Sequence, residues 1–253
     1  MNTLQSCSQV PQIFSANRRE IAISRAERLS KRGNCAGWLG KDMAEEVIER
    51  LDFMRFAPER VLLTGLAGRE LADQLQARGC QVVFSPALNH ETPIDSGPFD
   101  LILSCSSLET VNDLPGALIH IRNGLAEGGL FIGQMIGAGS LPSLRQIMLA
   151  ADGDRPAAHI HPQVENRAAT GLLERAGFAR QVVDGRTLSV RFSSFERMVS
   201  DLREQALTAV LLSKAPYVGK HGLATARQAF SKLADDVGRV AERFEILTLT
   251  GWR

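Results

Sequence analysis

The sequence predicts an α/β fold: a mostly parallel sheet with a helical N-terminal cover and a C-terminal antiparallel hairpin. Three observations predict it. Phe99 to Gly133 reads as an apolar strand, a polar turn, an amphipathic helix, a Gly-Gly break and a second apolar strand, one right-handed β-α-β unit. Arg60–Thr64 and Gln81–Ser85 are short apolar strands separated by a helical stretch. Beyond Phe178, alternating strand patterns return around a turn-forming Asp184-Gly185.

In chain order, residues 1–12 are polar. From Ile13 to Ser30, Ile21, Ala22, Ala26 and Leu29 recur at roughly helical spacing among arginines, which predicts a basic amphipathic helix. Its arginine run, Arg18 to Arg32, is expected either to dock a partner such as an acidic carrier surface or to be a solvated face. After the Gly33–Gly40 break, Lys41 to Met54 forms a second helix with Met43, Val47, Ile48 and Leu51 on one face. Residues 1–57 therefore read as a helical extension and residues 58–253 as the α/β domain.

Gly65-Leu66-Ala67-Gly68 turns the first strand into a helix over Arg69 to Ala77, which Gly79 closes. Pro86 to Pro98 has no periodicity and is a loop. Leu101–Ser104, Asp113–Ala126 and Leu130–Met135 make up the central unit. Leu141 to Ala150 is helical, Asp152 to Pro162 irregular, and Arg167 to Ala176 a helix stopped by Gly177. Gln181–Val183 and Thr187–Phe192 flank the Asp184-Gly185 turn. Phe195–Leu212 and Leu223–Phe244 are expected as helices, and Ile246–Trp252 as the closing strand.

Composition narrows the function. Lys and Arg number 29 against 28 Asp and Glu, so no global basic field points to nucleic acid. No apolar run reaches the length of a membrane span. Cys7, Cys35, Cys80 and Cys105 are scattered, without a zinc or disulfide spacing, which favours a reducing compartment. No secretory signal is apparent, and Glu20 and Glu27 inside the arginine run argue against a transit peptide. A cytoplasmic location is expected.

Ligands of parallel sheets sit outside the carboxyl ends of the strands, so Ser104 to Glu109 lie where a cofactor or substrate is expected. Ser104–Ser107 either line that pocket or cap the next turn. Glu109 is the carboxylate at the mouth of this strand, either a general base raised by desolvation or a solvated loop residue. His159-Ile160-His161, with Asp152 and Asp154 nearby, has the form of a metal pair, but no third ligand is identifiable by spacing and Pro162 implies a loop. No metal site is expected.

The phrase FDL, NDLPGAL, GGLFIG and the junction Leu172-Leu173-Glu174-Arg175-Ala176-Gly177-Phe178 resemble the Rossmann-like class I S-adenosylmethionine-dependent methyltransferases. Ile13-Phe14, Val111-Asn112-Asp113-Leu114-Pro115, Gly137-Ala138-Gly139-Ser140-Leu141, His159 to Pro162, Ser200-Asp201-Leu202-Arg203 and Gly251-Trp252 narrow the match. In that order they resemble alphaproteobacterial relatives of a mitochondrial complex I assembly factor, a group that also has a malonyl-acyl carrier protein methyltransferase relative. The resemblance implies S-adenosylmethionine as cofactor, a protein or carrier-protein substrate, and a link to respiratory complex I assembly. The cofactor set it implies is Gly65, Leu66, Ala67, Gly68, Ser85, Asn89, Ser104, Cys105, Ser106 and Glu109. The mitochondrial relative's arginine hydroxylation gives a third reading, which would depend on His159 and His161.

The chain departs from the family pattern at two anchors. The first strand has Leu63 where an acid is usual, and the G-x-G-x-G turn keeps only Gly65 and Gly68; the second ends Phe84-Ser85-Pro86 without a carboxylate. Each lost charged hydrogen bond removes ~1.5–3 kcal/mol, and two weaken binding by ~10² to 10⁴. Residues 65–98 are also too few for two complete α-β repeats, which need ~48 positions, so one unit is expected to be shortened or lost. The alternative reading is a decayed methyltransferase serving as an interaction or assembly module. No residue is assigned as catalytic base.

Overall fold

Strand-forming apolar runs and the alternating C-terminal segments build one six-stranded mixed sheet in a computed structural model that describes residues 10–33 and 35–253. The strands are β1 (Arg60–Thr64), β2 (Gln81–Ser85), β3 (Phe99–Cys105), β4 (Leu125–Ile136), β5 (Ala179–Phe192) and β6 (Val240–Trp252), in the order β2-β1-β3-β4-β6-β5. β2, β1, β3 and β4 are parallel, and β6 runs antiparallel to both β4 and β5. The helices are α1 (Ala16–Ser30), α2 (Trp38–Met54), α3 (Arg69–Ala77), α4 (Leu114–Gly124), α5 (Pro142–Asp152), α6 (Asn166–Arg175), α7 (Phe195–Glu204) and α8 (Lys220–Leu233).

The central parallel strands are apolar without interruption because both faces are covered. Val61 and Leu63 pack on the face holding Met43 and Val47 of α2, Leu71 and Leu75 of α3, and Met198 of α7. Leu62 and Ile102 pack on the opposite face with Leu118 and Ile121 of α4 and Leu173 of α6. Between β1 and α3 the backbone turns at Gly65, φ 83°, where a Cβ would stand 2.0 Å from the Cys105 carbonyl oxygen. Glycine is required there by the close approach of the β1 and β3 ends.

Pro86 to Pro98 contains neither helix nor strand, so the chain passes from β2 directly to β3 and the sheet ends at β2. One α-β unit is missing, as the spacing predicts.

Four expectations need correction. Asp184-Gly185 is no hairpin turn: the pairing runs unbroken from Val182↔Thr250 to Phe192↔Val240, so β5 is one long strand. Asp and Gly tolerate a turn, but the alternation around them continues, and the partner β6 holds both in register. The antiparallel C-terminal pair is therefore β5–β6, joined through α7 and α8 and not by a tight turn. The helix expected to reach Phe244 stops at Leu233, where Asp235 accepts hydrogen bonds from the Val237 and Arg239 N–H groups and Gly238 takes φ 74°. Val240 to Phe244 then belong to β6. α7 ends at Glu204, short of Leu212, because Ala206 turns to φ 60°. The helix expected to run to Ala126 ends at Gly124, and β4 begins at Leu125 with an irregular pairing around Gly128-Gly129.

α2 is tied to the sheet by a carboxylate. Glu46 accepts hydrogen bonds from Gln134 of β4 (2.9 Å), Thr248 of β6 (3.0 Å) and Arg50 (2.8 Å), and it pairs with Arg186 of β5. Burial pushes its pKa up, but the bonds from Arg186 and Arg50 outweigh that, and the net direction is down.

Candidate functional site

A cleft opens at the carboxyl ends of the parallel strands, where such sheets place ligands. Its floor comes from three successive loops: Leu66 after β1, Pro86-Ala87-Leu88 after β2, and Ser106, Ser107, Glu109 and Thr110 after β3. His159 to Gln163, Ile136, Leu141 and Leu144 form one wall. Arg19, Ala22 and Ile23 of α1 and the strap Ala206–Val210 form the cover.

The cover is fixed by hydrogen bonds that local sequence does not reveal. Asn112 accepts from the Ile13 and Phe14 N–H groups (2.7 and 2.8 Å) and donates to the Phe14 carbonyl (3.2 Å). Phe14 bridges to Leu211, and its ring meets His161 edge-on at 5.3 Å. The Arg18 guanidinium donates to the Leu211 carbonyl, and Arg19 to the Thr110 carbonyl at 2.9 Å. Ile13-Phe14, Val111-Asn112 and His159–Pro162, far apart in the chain, thus meet over one opening.

His159 and His161 do not converge on a metal. His159 Nε2 contacts Asp152 at 2.8 Å, whereas His161 Nε2 accepts from the Val210 N–H at 2.7 Å. That bond assigns the His161 proton to Nδ1, and burial pushes its pKa down to about 4. Among the described residues no three His, Cys, Asp or Glu side chains group as metal ligands.

Below the cleft, Ser107 Oγ is the hub of a buried polar cluster. It lies 2.7 Å from Ser104 Oγ, 3.0 Å from His90 Nε2 and 3.2 Å from Thr64 Oγ1. His90 is buried, which with nearby Arg19 pushes its pKa down to about 4. Thr64 ends β1 and Ser104 is paired with it in β3, one residue before that strand ends, so neutral hydroxyls gather at the carboxyl ends of these two strands. Sequence reasoning missed Thr64, His90 and the strap, since nothing in their neighbours in the chain marks them.

Of the implied cofactor set, Leu66, Ser106 and Glu109 line the cleft. Ser104 lies in the hydroxyl cluster beneath it. Gly65 and Gly68 shape the turn, the latter packed where a Cβ would meet the Leu63 side chain at 2.8 Å, with Ala67 between them. Ser85 ends β2, and Asn89 is exposed, capping its own loop through the Glu91 N–H. Cys105 is buried, and burial pushes its thiol up to about 12, so it is an inert core group.

Glu109 is the distinctive group. Its Oε1 accepts from the Ser106 hydroxyl at 2.6 Å, while Oε2 is out of contact with solvent and, among the described residues, has no hydrogen-bond partner. Burial raises its pKa against the opposing pull of Ser106 and the surrounding backbone N–H groups of Glu109, Ile136 and Leu108. An orphaned buried carboxyl oxygen beside a largely apolar cleft fits a ligand that brings a hydrogen-bond donor or a positive charge. The ammonium of S-adenosylmethionine is such a group, so the residues present fit this cofactor through a carboxyl after β3 where the β1 and β2 anchors are lacking.

Comparison with known proteins agrees with this architecture. Residues 39–182 match the family described as methyltransferase domain. The mitochondrial arginine-hydroxylase NDUFAF5 of Danio rerio is 30% identical over 165 residues, covering 64% of this chain and 51% of that protein. A malonyl-[acyl-carrier protein] O-methyltransferase of Gallionella capsiferriformans is 22% identical, covering 85% of this chain and 84% of that protein. The chain spans about half the length of the arginine-hydroxylase relatives it matches. Among solved structures, the [4+2]-cyclase SpnF shares the fold, with a TM-score of 0.50 at 17% identity over 97% of this chain and 99% of that one.

Proposed function

The chain belongs to the methyltransferase-domain family, and on that premise we propose that it binds S-adenosylmethionine in the cleft under α1 and transfers a methyl group to a protein or carrier-protein substrate. The observation that carries the reading is Glu109, a desolvated carboxyl with an unpartnered oxygen at the mouth of the parallel strands. When bound, the cofactor supplies an electrophilic methyl group on a sulfonium centre. Glu109 accepts the cofactor's ammonium, Ser106 holds the carboxyl in place, and Leu66, Pro86 and Leu88 exclude water. The chain contributes proximity and orientation, and no group here is assigned as a base.

The covered part of the open cleft is about 100 Å³, below the ~300–1,000 Å³ of ordinary ligand pockets, and in this reading α1 and the strap move outward on binding. Of the N-terminal extension, α1 acts as the cover in this reading. Malonyl-[acyl-carrier protein] O-methyltransferase similarity supports a carrier substrate; complex I assembly and a cytoplasmic location rest on the sequence resemblance and the scattered cysteines. Among the described residues no helix is long and apolar enough to cross a membrane.

Equilibrium dialysis against labelled S-adenosylmethionine tests the reading. Wild type is expected to bind saturably, and Glu109→Gln to bind about 10- to 100-fold more weakly, the worth of one charged hydrogen bond. Absence of binding at millimolar ligand contradicts it. The missing strand-end carboxylates would then favour the interaction module.

A further inference from the structure

The charge on the cover is unbalanced at one place. Arg25 of α1 is half-buried, donates from Nη2 to the Thr208 hydroxyl at 2.8 Å, and has a buried Nε without a partner among the described residues. Burial lowers its pKa, and the charges that act on it are both positive, Arg203 and Arg28. Arg28 stands one helical turn beyond Arg25, and Arg203 lies near the end of α7, which packs along α1. Among the described residues none of the three forms an ion pair. Residues 1–9 and 34 contain no Asp or Glu to supply one.

The nearby acids are engaged elsewhere. Glu27 pairs with Arg69, Asp201 with Arg197, and Glu204 accepts from the Ala36 N–H (2.7 Å) and the Ser200 hydroxyl (2.8 Å). Arg25 has no acidic partner among the described residues, Arg28 stands one turn beyond it and Arg203 lies on the helix packed against α1, so a multivalent oxyanion there supplies a counter-charge and accepts charge-assisted hydrogen bonds. The location gives this meaning. Thr208, which receives Arg25, sits in the strap between Leu207 and Ala209, both on the cleft, and Ala22 and Ile23 line the cleft one turn before Arg25.

We propose that Arg25, Arg28 and Arg203 form a phosphate-binding site at the rim of the cleft, and that it holds the phosphate ester of a soluble substrate whose remaining part enters under the strap. The site does not depend on the cofactor reading. It adds a substrate class: molecules with a phosphate at one end and the reacting group at the other.

The test uses inorganic phosphate at constant ionic strength, with chloride replaced stepwise and thermal stability as readout. Wild type is expected to gain stability saturably with phosphate. Arg28→Gln/Arg203→Gln changes two exposed side chains that make no described ion pair, so folding is preserved, and it should raise the half-saturating phosphate concentration about tenfold or more. An equal response of variant and wild type, or of phosphate and chloride, overturns the proposal. Sedimentation with phosphatidylglycerol vesicles separates the sources: vesicle binding that the double variant loses overturns the soluble substrate in favour of a lipid headgroup. The double variant should bind S-adenosylmethionine like wild type, so failure at this site and failure at Glu109 are distinguishable.

Discussion

At the scale of residues, binding and stability turn on buried groups whose protonation is displaced from the ordinary range. The Glu109 carboxyl keeps its proton to higher pH in the folded than in the unfolded chain. Between the ordinary value of ~4.3 and the raised one, the folded state binds more protons, so stability falls as pH rises through that window. Glu109→Gln removes the cost and is expected to raise the melting temperature at neutral pH by ~2–4 °C, the equivalent of ~1 kcal/mol for a chain of this size, while it weakens cofactor binding. A scan of melting temperature at pH 7 checks this; a lower value identifies Glu109 as a structural carboxylate. His90 and His161 have the opposite sign. Both are pushed down to about 4 by burial, so the unfolded chain takes up protons first as pH falls from ~6.5. Each should cost ~1.4 kcal/mol per pH unit between ~6.5 and 4. Denaturant unfolding across that range should be steeper for wild type than for His161→Gln, which keeps an acceptor for the Val210 N–H but does not titrate.

At the scale of elements, the cover and α2 depend on side chains that reach across the chain. Asn112 makes three hydrogen bonds to the Ile13-Phe14 backbone. Asn112→Ala should cost ~1–3 kcal/mol through the backbone groups left unpaired, with faster amide exchange in α1 and 206–211 than in β3 and β4. Uniform acceleration across all elements would mean that Asn112 does not act through the cover. Glu46 is placed differently, as the acceptor common to α2, β4, β5 and β6. Glu46→Ala should destabilise by ~1–3 kcal/mol, because Gln134, Thr248 and Arg50 lose their acceptor while Arg186 keeps Asp42; urea denaturation measures it. Legibility also divides at this scale. The parallel strands were readable because burial on both faces makes them continuously apolar, as in Val61–Leu63 and Leu101–Leu103. β5 misleads locally, since Asp184-Gly185 has turn chemistry and only pairing with β6 keeps it extended. The strap is illegible for a related reason: Thr208 and Val210 gain their roles from Arg25 and His161, distant in sequence.

At the scale of the whole molecule, a methyltransferase-domain sheet lacks one α-β unit between β2 and β3 and, separately, lacks carboxylates at the ends of β1 and β2, while keeping the cleft. The loss was readable from spacing alone, and so was the place of Glu109 after β3. Its unpartnered oxygen was not, because its burial depends on walls that distant parts of the chain fold over it. The central claim is that this carboxyl replaces the lost anchors by taking the charge of the cofactor's ammonium. Calorimetry of S-adenosylmethionine binding in two buffers of different ionisation enthalpy, at a pH below the raised Glu109 value, tests it most directly. Wild type should release protons on binding as Glu109 ionises, and Glu109→Gln should bind more weakly with no such release. Binding by both proteins with equal affinity and no proton release, or no heat from wild type at millimolar ligand, would contradict the account.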